Sequence, residues 1–255
     1  MLDIVLCIDR SGSMMDDIRM VQSSVDTILK QLSAYAKSSN ISLRVGLITY
    51  IRHDESGWIT ADPLTADVDA IRGYIRGIDI TNVSLGAGGN EDTYGALMYG
   101  MNQRVGGQQI DMGWRPNAAK IIFAIGDEPQ DDPDWEKRTL DAVATVARNL
   151  DPVHVYPLLT PKQGSGILDT AVRAKSRLAD ATGGHVIRVK DAKSLPDTII
   201  AAVKTAVREH RDEVWRKTHP PYLLYGLLLG MVGLVFLSAT VALIRTAKRR
   251  PARPA

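Results

Sequence analysis

The stretch Ile4-Val5-Leu6-Cys7-Ile8-Asp9-Arg10-Ser11-Gly12-Ser13-Met14 decides how this chain is read. An apolar strand ends in a carboxylate, and two hydroxyls follow at alternate positions. A bend after the strand lets those alternate side chains converge. Gly12 supplies backbone angles that a residue with a Cβ resists. Asp9, Ser11 and Ser13 then offer three hard oxygens from one tight loop. A hard divalent cation such as Mg²⁺ takes such a set, with water in its remaining positions.

Outward from this stretch, strands and helices alternate. Apolar runs predict strands over 2–8, 43–51, 120–126, 153–159 and 185–189, and a short edge strand over 57–61. Helical periodicity covers 16–36, 67–78, 93–104, 134–150, 167–182 and 194–217, and Gly183-Gly184 closes the fifth of these. Val68, Ile71, Ile75 and Ile78 share one face of the 67–78 helix. The pattern predicts an α/β fold: a doubly wound, mostly parallel sheet with helices on both faces. Such sheets bind ligands beyond the carboxyl ends of their strands. Asp9 and Asp127 both follow apolar strands, so the architecture puts them on one rim.

Three loops at that rim carry oxygen donors. The first holds Asp9, Ser11 and Ser13. The second runs from Gly86 to Leu97 and contains Glu91, Asp92 and Thr93. The third is Ile125-Gly126-Asp127-Glu128-Pro129-Gln130-Asp131-Asp132. The set resembles the von Willebrand factor A domain and its metal-ion-dependent adhesion site. Asp9-Arg10-Ser11-Gly12-Ser13 matches the family's Asp-x-Ser-x-Ser. The second loop departs from the commonest version, which has a threonine after a Gly-Gly pair. Glu91-Asp92-Thr93-Tyr94-Gly95-Ala96-Leu97 resembles the integrin-β-like and bacterial subgroup, which places a glutamate there. Thr93 is the alternate ligand if the register shifts by two. Gly126-Asp127 resembles the family's strand-end aspartate. The resemblance covers about residues 1–210. It implies a metal held by Asp9, Ser11, Ser13, Glu91 and Asp127: the serines bind directly, Asp9 and Asp127 partly through water, and Glu91 adds charge. The ion would be Mg²⁺, with Mn²⁺ or Ca²⁺ as substitutes. One metal position would stay open for an acidic side chain of a protein partner. A plainer role for Ser13 is a helix N-cap.

The chain has 255 residues, 45% apolar and 24% charged, enough for one folded domain and an appendage. The net charge of +2 hides an asymmetry, because five basic residues and no acidic one follow position 244. The folded part is net acidic and is not expected to bind nucleic acid. Cys7 is the single cysteine, so no internal disulfide forms, and it reads as a small buried residue. The five histidines lack zinc spacing. Asp131, Asp132 and Asp134 read as a solvated loop and helix start, or as a second metal position. Asp54, Glu55 and Trp58 read as a rim loop, and Met14 as packing at a helix entry.

Residues 222–244 carry no charge over 23 positions. That length spans about 30 Å of hydrocarbon. Tyr222 and Tyr225 flank one end and Arg245, Lys248, Arg249 and Arg250 the other, as at membrane interfaces. The expected organisation is a domain over 1–210, a juxtamembrane linker over 211–221, a transmembrane helix over 222–244 and a basic tail over 245–255. Gly226 and Gly230 form a GxxxG spacing that could pair two spans into a homodimer. The absence of a leader favours a cytoplasmic domain with a C-terminal anchor. The basic tail favours the opposite orientation.

No nucleophile–base pair, phosphate loop or zinc signature is present, so an enzyme is not expected. The expected function is a membrane-anchored, cation-dependent protein-interaction module for adhesion or scaffolding. The alternatives are a Mg²⁺-dependent phosphohydrolase, because strand-end carboxylates also serve phosphoryl transfer, and a scaffold partner of an AAA+ ATPase.

Overall fold

A computed structural model describes residues 1–79, 91–127, 133–159 and 168–219. The apolar segment 222–244 with Gly226 and Gly230, the tail 245–255, Gly86 to Asn90 and Glu128 to Asp132 lie outside the described residues. Among the described residues no helix is long and apolar enough to cross a membrane.

The elements are β1 (Leu2–Asp9), α1 (Met15–Ser38), β2 (Leu43–Tyr50), β3 (Ile59–Thr65), α2 (Val68–Arg76), α3 (Thr93–Gly100), β4 (Ala119–Ile125), α4 (Leu140–Asn149), β5 (Val153–Leu159), α5 (Leu168–Thr182), β6 (Ile187–Arg188) and α6 (Leu195–Thr218). The described strands form one sheet in the order β3-β2-β1-β4-β5-β6. All neighbours are parallel except β2 and β3. β1 and β4 are buried along their whole length, as continuous apolar runs require.

The pleat sends alternate side chains of β1 to opposite faces. Leu2, Ile4, Leu6 and Ile8 join a core with α1, α2 and α6, through residues such as Val21, Ile28, Ile71, Ile75 and Val203. Val5 and Cys7 join a second core with α3 and α4, through Leu97, Tyr99 and Val143. Strand order reverses between β1 and β4: the chain moves one way to β2 and returns to the other side for β4. This is the switch point where doubly wound sheets open a crevice. Asp9 ends β1 there, and Asp127 follows β4 by two residues.

Several element ends differ from expectation for local reasons. The 134–150 helix begins only at Leu140. Asp134 Oδ1 accepts from the amides of Glu136 and Arg138, and Lys137 takes φ +64. This closes a turn, and Thr139 caps the helix afterwards by accepting from the Ala142 amide. Trp135 therefore sits in a loop. The edge strand is longer than 57–61 and contains Pro63, which an edge tolerates because one side of it makes no ladder bonds. The 93–104 helix stops at Gly100, where Asn102 turns left-handed. The last strand shrinks to two residues.

Two compact units divide the chain, Met1–Val207 and Arg208–Ala255. α6 runs to Thr218, close to the expected 194–217 helix. Lys217 pairs with Glu213 at 2.9 Å, and Trp215, 51% exposed, stacks on His219.

Candidate functional site

Asp9 is 1% exposed. Its Oδ1 accepts the Ser11 amide at 2.8 Å, which bends the chain as it leaves β1. Ser11 begins a 3-10 turn over Gly12–Met14 and makes no capping bond. The Oγ atoms of Ser11 and Ser13 lie 3.0 Å apart. Ser13 Oγ donates to Asp127 Oδ1 at 3.1 Å, across 114 residues of sequence. The N-cap of α1 is Met14, with no side-chain cap. Ser13 therefore spends its hydroxyl on the third loop and not on the helix.

Gly126 makes this meeting possible. A Cβ there would lie 2.9 Å from Tyr50 Oη and 3.2 Å from Asp9 Cβ. Only a residue without one lets β4 deliver Asp127 so close to the end of β1.

Glu91 is 7% exposed and directly precedes α3. Asp92 caps that helix, accepting the Gly95 amide at 2.9 Å, and a Cβ on Gly95 would fall 2.0 Å from Asp92 Oδ2. Asp92 also accepts from Trp135 Nε1 at 2.7 Å and from Arg138 Nη2 at 3.0 Å. Arg138 in turn pairs with Asp134 and Glu136. This clamp ties the Glu91 loop to the segment that follows the third loop. Burial raises the Asp92 carboxyl above its usual range, although Trp135 and Arg138 pull it down. Thr93 Oγ1 lies 3.1 Å from Tyr50 Oη, so the alternate ligand faces the hydroxyl that lines Gly126. Trp135 is 40% exposed, stacks on His53 at 4.0 Å and meets Trp58 edge-on. Trp58 itself is buried and does not form a rim.

The electrostatics at Asp9 are one-sided. Burial pushes its carboxyl well above the usual range, the charges of Glu91 and Asp127 push further, and the bonds from Ser11 oppose them. Burial likewise raises the Tyr50 phenol, helped by the charge of Asp9. Like carboxylates buried together favour a bound proton or a bound cation. Among the described residues, no three His, Cys, Asp or Glu side chains cluster closely enough to hold an ion alone. A cation at this rim would draw on the serine hydroxyls and on water as well as on the carboxylates. That donor set of carboxylates, hydroxyls and water fits Mg²⁺, which sheds its waters reluctantly. It lacks the Cys and His ligands that most structural zinc sites use.

Sequence reasoning missed Lys175. It is 8% exposed, and its Nζ donates to the carbonyls of Gly126 and Leu158. The available signal was a lysine on the apolar stripe of α5, in step with buried Ala171, Leu178, Ala179 and Thr182.

Residues 4–130 match the family model for the von Willebrand factor type A domain, a stretch that takes in the first two loops and most of the third. No curated protein matches the sequence. Among solved structures, BatB from Bacteroides thetaiotaomicron is 14% identical, with TM-score 0.52 over 82% of this chain and 100% of that one. The pilus adhesin SpaC from Lactobacillus rhamnosus GG is 15% identical, with TM-score 0.54 over 82% of this chain and 30% of that one. Proximal thread matrix protein 1 from the mussel byssus is 16% identical, with TM-score 0.52 over 79% of this chain and 46% of that one. A further structure of the mussel protein, with TM-score 0.50, has zinc in its MIDAS motif. The fold of the described residues is thus similar to that of a von Willebrand factor type A domain. The chain spans less than half of SpaC and of the mussel protein.

Proposed function

We propose that the domain is a divalent-cation-dependent protein-binding module that takes an acidic side chain of its partner at the rim between β1 and β4. One observation carries this reading: Asp9, Ser11, Ser13 and Asp127 meet through direct contacts from two loops, and the charge of buried Glu91 bears on the same carboxylate. Ser11 and Ser13 would ligate directly, Asp9 and Asp127 partly through water, and Glu91 would add negative charge. The cation, when bound, supplies a Lewis-acidic position that a partner's carboxylate can fill. Mg²⁺ fits the hard oxygen set best, with Mn²⁺ or Ca²⁺ as substitutes.

The chain's own groups do the positioning. The Ser11 amide and hydroxyl orient Asp9, and Ser13 orients Asp127. The Asp92–Arg138–Trp135 clamp fixes the Glu91 loop. An extra carboxylate strengthens cation binding but leaves the ion less attractive to a partner. Binding to the partner is therefore expected to be weaker than with a neutral hydroxyl in the place of Glu91.

A phosphohydrolase is disfavoured. It needs a lysine free to hold phosphate, and Lys175, the lysine at this rim among the described residues, is buried with its ammonium on two backbone carbonyls. We also propose that residues 222–244 anchor the domain to a bilayer, with the domain cytoplasmic; protease protection in sealed vesicles tests the orientation. The binding proposal is tested by melting the full-length wild type and Asp9→Ala in Mg²⁺ and in EDTA. The wild type should melt higher in Mg²⁺, and the variant should not respond. An equal response in both overturns the reading.

A further inference from the structure

We infer that Lys175 is a positioning residue for the third loop: its buried ammonium, carried by α5, fixes where Asp127 leaves β4 and so links α5 to cation binding. This rests on the metal reading above.

The last paired residues of β4 and β5 are Ile125 and Leu158. Gly126 follows that pair, where β4 gives way to the third loop. Lys175 Nζ donates to the carbonyls of Gly126 and Leu158, at 3.0 Å for Leu158. An ammonium is a strong donor, and burial penalises its charge unless it is well held.

The position of the contact gives the charge a purpose. Lys175 holds the Gly126 carbonyl, and a Cβ on Gly126 would lie 2.9 Å from Tyr50 Oη and 3.2 Å from Asp9 Cβ, so the backbone passes close to both. The next residue, Asp127, accepts from Ser13. A short covalent and hydrogen-bonded path therefore runs from α5 to the two loops. A cavity of about 30 Å³ lies beside it, lined by Tyr50, Thr93, Gly126, Pro157 and Lys175 among others. If the ammonium were removed, Gly126 would have room to shift and Asp127 would move with it. A rearrangement of α5 would reach the site by the same route.

The test uses the full-length chain in detergent, with Mg²⁺ affinity measured by calorimetry and melting measured in Mg²⁺ and in EDTA. Lys175→Met should weaken Mg²⁺ binding by about 10–100-fold, the range typical for groups that orient metal ligands. Lys175→Arg, which keeps the charge and the donors, should recover most of the affinity. The melting difference between Mg²⁺ and EDTA should shrink in the Met variant, which a merely structural lysine would not cause. Unchanged affinity in a folded Lys175→Met variant overturns the inference and leaves the metal site standing. A wild type that binds no Mg²⁺ overturns both. Should the Met variant fail to fold, hydrogen exchange on the wild type decides. Mg²⁺ should slow exchange in α5 around Lys175, and α5 amides indifferent to Mg²⁺ overturn the link.

Discussion

β1 buries two aspartates six positions apart, and the protein treats them oppositely. Asp3, at the start of the strand, is 0% exposed and lies in a cage of arginine. Arg44 donates to it through Nε at 3.2 Å and Nη2 at 3.0 Å. Arg115 adds its backbone amide at 2.9 Å, Nε at 2.9 Å and Nη2 at 2.6 Å. Burial alone would raise this carboxyl, but the two arginines overcome it and hold it below the usual range. Asp9, at the other end, is as deeply buried, and burial drives it upward, with the charges of Glu91 and Asp127 adding to the rise. Burial therefore does not mark a site by itself. What marks it is that Asp3 receives its counter-charge from the fold, whereas Asp9 is set among further negative charge.

The largest effect is expected at the satisfied end. Asp3→Ala removes the buried partner of two half-buried guanidinium groups, and breaking such a pair costs up to about 3–5 kcal/mol. In urea denaturation, that is a large fraction of the stability of a domain this size. A loss below about 1 kcal/mol would break the comparison, because Asp3 would then be no better served than a surface pair.

The same pair predicts a pH dependence with a fixed sign. The folded-state pKa of Asp3 lies below its unfolded value, so the folded state holds its proton less tightly. The stabilisation is complete above the unfolded value of about 3.9 and is lost as the pH falls through the folded one. Melting followed down the acid limb should show wild type losing stability in that window. Asp3→Asn should start lower and fall less steeply there; parallel curves would deny Asp3 its role.

How much of this contrast was legible beforehand differs between the two ends. Asp9 and Asp127 were legible because each follows an apolar run, and topology alone sets such residues on one rim. Asp3 lies inside the 2–8 strand, and nothing in its neighbourhood sets it apart. Its partners lie 41 and 112 residues away, a separation that no local pattern encodes. Lys175 escaped for the same reason, although its place on an apolar stripe was visible. The late start of α4 was hidden because Asp134 resembles a helix N-terminus, yet its carboxylate closes a turn around Lys137 first. Periodicity reports faces and ends well. It does not report which distant charge a buried group will meet.

A smaller effect is expected where the two loops touch. Gly126→Ala puts a methyl 2.9 Å from Tyr50 Oη and 3.2 Å from Asp9 Cβ. Overpacking of this kind costs about 1–3 kcal/mol. Tyr50→Phe removes one of the two obstacles, so the double variant should lose less than the sum of the singles. Strict additivity in urea melts would mean that Gly126 is not wedged against Tyr50.

The smallest change in stability, and the one with the opposite sign, belongs to Asp9→Asn. This near-isosteric amide deletes a buried charge that sits beside two like charges. In EDTA the variant should therefore be as stable as wild type or more stable, by about 0–2 kcal/mol. In Mg²⁺ the order should reverse, because only the wild type gains from binding. Such a crossing of two denaturation curves cannot come from a group that merely supports the fold, since that kind of loss has the same sign in both buffers. If Asp9→Asn proves as damaging in EDTA as Asp3→Ala, the two ends of β1 are alike, and the carboxylates at its end serve packing instead of a cation.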